Sequence, residues 1–221
     1  SIFAAAMIDP LPEKQREFLA VMGLADEFTV EMAQDIMQTG DAAELLAALT
    51  GQNAFVRRLP DGVTYRFHHM MKECALRVFL TLPQERRNDC RRRFGAWYEQ
   101  HRQYLHAMQA YDQCGDYHAL LRVVQQDAGI LLSSLDPKNV LDFLDECPED
   151  TLKAHPAALL VLMRSMFNWR NIPRMLTLGL ELLRSCRSLS SSLASHHEAG
   201  GHACAAESVA AEDAARAFAG A

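Results

Sequence analysis

Along the chain, apolar residues first recur at helical spacing. Phe18, Leu19 and Met22 follow Pro12-Glu13, a proline and acid suited to a first helical turn, and that segment stops at Gly23. Thr29 is a fair N-cap for a second helix with Met32, Ala33, Ile36 and Met37 on one face. Gly40-Asp41 restarts the chain, and Leu45, Leu46 and Leu49 form a third stripe that closes at Gly51. The period then changes. Phe55 to Leu59, the turn Pro60-Asp61-Gly62, and Val63 to Phe67 predict a β-hairpin, because Asp-Gly supplies the backbone that a tight turn needs. A fourth helix follows from His68, with Met71, Ala75, Val78 and Phe79 facing inward. Three helices, a small hairpin and a closing helix outline a winged helix over residues 1–82.

From Pro83 onward the pattern is helical only. A helix over 84–101 carries Cys90, Phe94, Trp97 and Tyr98 on one stripe, with Arg86, Arg87, Arg91 and Arg92 mainly on the other side. A helix over 105–113 presents Met108 and Tyr111, Gly115-Asp116 turns the chain, and Leu120, Leu121, Val123 and Val124 follow. Pro137, Pro148, Pro156 and Pro173 each fit a helix start, the last leading through Met175, Leu178, Leu182 and Leu183. Paired short helices at this spacing predict a TPR-like helical array over 83–186. Residues 187–221 differ: Ala and Ser supply 18 of 35, with Leu189, Leu193, Val209 and Phe218 as the large apolar anchors. Burial on that scale does not offset chain entropy, so this Ala/Ser-rich tail is expected to be disordered or foreign to the parent sequence. The fold class is therefore mainly α: a winged helix with a small β-hairpin, followed by a TPR-like array.

Composition narrows the function classes. The 221 residues can bury a sizeable core, and 49% hydrophobic with 23% charged residues is ordinary for a globular protein. A net charge of −6 argues against a broad nucleic-acid surface. Six scattered cysteines (Cys74, Cys90, Cys114, Cys147, Cys186, Cys204) in a chain of this size predict reduced thiols and a cytoplasmic setting. No window reaches the roughly 18 apolar residues of a membrane span, so no membrane partner is expected. The start Ser1-Ile2-Phe3, without an initiator Met, leads to the expectation of a segment taken from something longer.

Several segments together resemble a known family. Tyr65-Arg66-Phe67-His68-His69-Met70-Met71-Lys72-Glu73 is similar to the "YRYHPLF" segment of the MalT-like, large ATP-binding LuxR-type transcription regulators, members of the STAND class. Asp41 to Leu46 and Asn53-Ala54-Phe55-Val56 resemble that family's approach to the hairpin, and Arg93-Phe94-Gly95-Ala96-Trp97-Tyr98 its "hRrAAxWY". Gln109 to Asp116 and His155-Pro156-Ala157 continue the likeness in the same order, over roughly residues 10 to 186. The resemblance implies a parent with a P-loop ATPase, a winged helix, a helical-repeat sensor and a C-terminal LuxR-type helix-turn-helix. The present chain would hold the middle. No G-x-x-x-x-G-K-[ST] occurs, and no glycine precedes a lysine.

What the resemblance implies for this chain is a regulatory, signal-sensing segment that couples nucleotide state to effector and protein interactions. ATP or ADP belongs to the full-length parent, with no cofactor in this segment. The partners are the ATPase domain of the same parent, a small-molecule or protein effector, and DNA only through the C-terminal domain; self-association is left open. The chain is expected to be no enzyme, with neither ATP hydrolysis nor sequence-specific DNA binding of its own. The alternative is a stand-alone helical-repeat scaffold that binds a protein partner, the hairpin serving as a cap.

His68 is the candidate site residue. By the resemblance, a histidine opening the last winged-helix helix senses nucleotide by reaching the β-phosphate of ADP in the ATPase domain; otherwise it caps the helix or is half-buried without a ligand. His69 departs from the family, which has proline or aspartate there. The arginine run at 86–93 reads either as a phosphate-binding patch or as a solvated face or domain contact, since Glu85 and Asp89 interleave it. His197 and His202 are five residues apart across Gly200-Gly201, against the i, i+4 spacing of a zincin helix; His196, His202 and Cys204 can chelate only adventitious metal. Cys114 and His118 have the spacing of half a metal site, with no second half, and no catalytic or metal residue is assigned. Trp97, Tyr98, Tyr104, Tyr111, Phe143, Phe167 and Trp169 either line an effector groove or are core aromatics, with Trp97 and Tyr98 on the cleanest core stripe.

Overall fold

The computed structural model describes residues 8–51 and 55–187. The described residues form two compact units, the first ending at Asp127 and the second starting at Ala128. The tail beyond 187 and the histidines at 196, 197 and 202 lie outside the described residues.

The first unit opens with α1 (Glu13–Met22), which follows Pro12 and buries Phe18 through Met22. Its end at Gly23 is a packing requirement: a Cβ there would sit 2.7 Å from that of Ala75 on α4 (His69–Thr81). Next comes β1 (Glu27–Thr29), a strand that the sequence pattern does not announce. Three residues are too few to display a period of two, and what makes the strand is an edge offered elsewhere in the fold. The expected hairpin supplies that edge: β2 (Val56–Arg58) and β3 (Thr64–Phe67) pair antiparallel with Val56 opposite Phe67 and Arg58 opposite Tyr65. On the other side β3 takes β1, Phe28 opposite Tyr65, giving a three-stranded sheet of order β1-β3-β2. Phe28 is 2% exposed and its ring meets Phe18 at 6.3 Å, Tyr65 at 6.1 Å and Phe67 at 5.5 Å.

Local chemistry fixes the boundaries. Thr29 Oγ1 accepts from the Met32 amide at 3.2 Å and so caps α2 (Val30–Met37), as its position predicts. Helix α3 (Ala42–Gly51) buries Leu46 and Leu49. Between β2 and β3, Asp61 Oδ1 accepts from the amides of Val63 and Thr64, both at 3.0 Å, while Gly62 takes the left-handed backbone at φ +74°. Helix α4 turns Met71, Cys74, Ala75 and Phe79 inward. These elements make a winged helix with helical elements following it.

Helix α5 (Gln84–Gln100) packs Cys90, Phe94 and Trp97 into the same core as α1 to α4. Its other side meets α6 (Tyr104–Gln113), which in turn packs on α7 (Tyr117–Asp127). The compact unit thus runs to Asp127 and takes in three helices beyond position 82. A carboxylate ties them: Glu99 accepts from Arg122 Nε and Nη2, both at 2.8 Å, from the Tyr111 hydroxyl at 2.9 Å and from Gln126 Nε2 at 3.1 Å.

The second unit has its own core. After a short 3₁₀ turn at Leu132–Ser134, it holds α8 (Pro137–Glu146), α9 (Glu149–Lys153), α10 (Pro156–Asn168) and α11, described over 172–187. Asp136 caps α8 by accepting from the Lys138 amide at 3.0 Å, with Pro137 in the first turn; Pro156 occupies the same place in α10. Val140, Leu144, Leu159, Leu162, Met166 and Leu178 are buried among these helices. The Ser185 hydroxyl donates to the Lys153 carbonyl at 2.6 Å, fastening α11 to α9.

Two outcomes follow from the α5 contacts. A Cβ on Gly95 would lie 2.5 Å from Tyr111 Cε1, and that ring is held by its bond to Glu99. Gly95→Ala should therefore destabilise the chain by about 1–3 kcal/mol although alanine is the better helix former by about 1 kcal/mol, while Gly51→Ala, which meets nothing within 4 Å, should not. Thermal melts of both variants check this. The bonds from Arg122 above all, aided by Tyr111 and Gln126 and opposed by burial, hold the Glu99 carboxyl below its ordinary value of 4.5. A carboxyl lowered on folding stabilises above its unfolded pKa and loses that contribution as pH falls through the folded one. Melting midpoints between pH 6 and pH 3 should accordingly fall less steeply in Glu99→Gln than in wild type.

Candidate functional site

His68 stands where β3 becomes α4. Phe67 is buried at 4% exposure against Phe28, which fixes the strand end, and the His68 amide donates to the Phe55 carbonyl at 3.1 Å, which ties that end to β2. The His68 carbonyl then accepts from the Lys72 amide at 2.9 Å to begin the helix. The backbone is thus held on both sides while the imidazole itself is exposed and makes no capping hydrogen bond. The capping and half-buried alternatives are thereby corrected: an extended backbone at φ −63°, ψ 140° serves as the cap position, and the ring is outside it. No side chain caps the first turn of α4 and no acid lies in it, so its amides have no side-chain acceptor or counter-charge there. His69 is exposed too, its Nδ1 3.9 Å from the Glu73 carboxylate. Uncapped amides with an exposed imidazole form a donor set that fits an anionic group such as a phosphate, which is the fit that ADP held by another domain would require.

The arginine run is largely engaged within its own unit. Arg86 Nη2 donates to Glu17 Oε1 at 2.6 Å, joining α5 to α1, and Arg93 donates to Asp89 Oδ2 at 2.7 Å and to the Ile36 carbonyl at 3.1 Å, joining α5 to α2. Arg92 Nε reaches Asp116 Oδ2 at 3.0 Å. Arg86 and Arg93 therefore clamp α5 to α1 and α2, and Arg92 clamps it to the turn before α7, which neither the solvated-face nor the phosphate-patch reading anticipates.

The aromatic candidates divide. Trp97, Tyr111 and Phe143 are core residues at 9%, 2% and 6% exposure. Tyr104 and Trp169 are half-buried and Phe167 is exposed. Tyr98, on the clean core stripe, is half-buried and borders a cleft of about 720 Å³ that the sequence does not reveal, because its wall comes from three separate stretches around Asp26, Lys72 and Arg91 to His106. Asp26 pairs with Lys72 there, and that bond chiefly holds its carboxyl below the usual range. The His106 ring lies 5.2 Å from that of Tyr98, whose hydroxyl is pushed up to about 12 by burial and by the charge of Asp26.

The thiols of Cys90, Cys114 and Cys147 are pushed up by burial, so none of these three is an activated nucleophile. Among the described residues no cluster of three metal-ligating side chains forms, and the five described cysteines carry free thiols. No helix among them is long and apolar enough to cross a membrane.

A three-stranded sheet ending in a wing and abutting this helix set defines a winged-helix protein. Residues 4–88 match the family model of the MalT winged helix domain, and this stretch of the chain is similar to that domain. The match spans β1 to β3 and His68 and ends inside α5. A search of curated proteins gives no match.

Proposed function

We propose that this chain is the regulatory middle segment of a MalT-like, ATP-dependent LuxR-type transcription activator of the STAND class, and that it couples nucleotide state to effector and protein interactions. The observation that carries the reading is the likeness of residues 4–88 to the MalT winged helix domain, with His68 at the start of α4 in the stretch matched. In this reading the chain is no enzyme. ATP or ADP is held by an upstream ATPase domain, DNA is bound by a downstream helix-turn-helix, and the setting is cytoplasmic. His68 donates a hydrogen bond to the β-phosphate of ADP when the ATPase domain closes on the winged helix. The α4 amides beside it add favourable potential for the same anion.

A charge-assisted bond of this kind contributes about 1.5–3 kcal/mol, present in the closed ADP state alone. His68→Ala in the longer protein with its ATPase domain should therefore release ADP roughly ten-fold faster or more and raise the active fraction without inducer by a similar factor. Because the ring makes no capping bond, the fold should stay within about 0.5 kcal/mol of wild type. Stopped-flow measurement of ADP release decides it, and equal off-rates retire the sensor role.

A second reading, a helical scaffold that binds proteins, is favoured by one observation. Ile172, Leu176, Leu180 and Leu183 are 42–59% exposed and lie on one stripe of α11, opposite the buried Leu178. If the scaffold role includes self-association, the chain should sediment above monomer mass, and Leu176→Glu with Leu180→Glu should return it to monomer.

A further inference from the structure

Five arginines occupy α5, and the fold treats them unequally. Arg86, Arg92 and Arg93 each meet a carboxylate. Arg87 and Arg91, one helical turn apart, have no carboxylate within ion-pair distance among the described residues. Arg87 bonds the neutral amide oxygen of Gln84, and Arg91 Nη1 donates to the Gln113 carbonyl at 3.2 Å. In both, the Nε–H is hidden from water and has no acceptor. A buried donor left unmatched is costly, and like charges at i, i+4 repel. Burial first, and the Arg87 charge second, lower the pKa of Arg91. The pair is short of one negative charge.

Arg91 also forms part of the wall of the 720 Å³ cleft beside Tyr98. Its guanidinium carbon lies 5.5 Å from the centroid of the Phe79 ring, and Leu76 and Leu80 line the cleft with it, Leu80 at 58% exposure. The two acids of the cleft are already matched, Asp26 by Lys72 and Glu27 by Arg66. The volume is in the range of small-molecule sites, roughly 300–1,000 Å³, and the lining combines apolar surface with a few convergent polar groups in the usual way.

We propose that Arg91, supported by Arg87, is the anion-binding end of a ligand site in this cleft, and that the site takes a small organic anion: a carboxylate or phosphate carried on a compact apolar or aromatic body. The head accepts from the Arg91 guanidinium, where Nη1 alone is engaged, by the Gln113 carbonyl, and the body covers Leu76 and Leu80. This inference is independent of the role given to His68, which lies outside the cleft lining.

The test is titration of the full chain, at constant ionic strength, with phenyl phosphate, phenylacetate, inorganic phosphate and the neutral benzyl alcohol, followed by amide NMR shifts and calorimetry. At least one aromatic anion should saturate in the millimolar range or tighter and shift Leu80, Arg91 and Gln113. Arg91→Gln should weaken it about ten-fold, one charge-assisted bond's worth, and Arg87→Gln less, while Arg92→Gln should leave it unchanged. Phosphate and benzyl alcohol, each with half of the required chemistry, should bind more weakly. The two aromatic anions distinguish a phosphate from a carboxylate head. No saturation by either, shifts confined to another surface, or equal affinity in wild type and Arg91→Gln overturns the proposal. Inorganic phosphate binding as tightly as phenyl phosphate overturns the apolar half of the site. Should Arg91→Gln lower the melting midpoint, Arg87→Gln carries the comparison, and unchanged affinity there is equally decisive against it.

Discussion

Helix α5 belongs to two packing problems at once, and the first unit depends on its solving both. Cys90, Phe94 and Trp97 complete the core of the winged helix, while Gly95 admits the Tyr111 ring of α6 to the backbone itself. Neither side tolerates much adjustment, since a core at close-packed density has no slack for a displaced helix. The ion pair of Arg86 with Glu17 on α1 and the bond from Arg93 to the Ile36 carbonyl on α2 then fix the helix about its own axis. Exposed pairs of this sort add little stability singly, and their effect here is on orientation.

The two candidate sites differ in what holds them. At His68 the structure immobilises the backbone, through Phe67 in the core and the amide bond to Phe55, and leaves the ring unengaged. Such a residue can serve a neighbouring surface without local rearrangement. In the cleft the side chains themselves are restrained, Asp26 by Lys72 and Arg91 by Phe79 and Gln113. Restraint without charge balance is what sets Arg91 apart from the arginines next to it.

Much of this was legible along the chain because the signals are local. The Thr29 cap, the Asp61-Gly62 turn and the prolines that open α8 and α10 act over two to four residues, and each stands where the pattern puts it. Strand β1 was not legible, since Glu27-Phe28-Thr29 becomes a strand only because β3 has a free edge and Phe28 a pocket of rings to enter. The sorting of the arginines was hidden for the same reason: the partner of Arg86 is 69 positions away, and that of Arg92 is 24. The cleft likewise joins Asp26 to His106, a distance in sequence that no motif spans. The position of His68 was readable from resemblance, but its outward-facing ring was not, because a cap and an unengaged side chain look alike in one dimension.

The β3–α4 junction shares one core with α5, whose Cys90, Phe94 and Trp97 enter it along most of the length of the helix. Its 17 residues make a rod of about 25 Å. A tilt of such a rod by about 10°, together with the core it packs in, carries its far end through about 4 Å. Tyr111, wedged against Gly95, lies part-way along it and travels with it. The helix thus moves as one body with the winged helix, and α6 and α7, packed on its other side, are displaced with it.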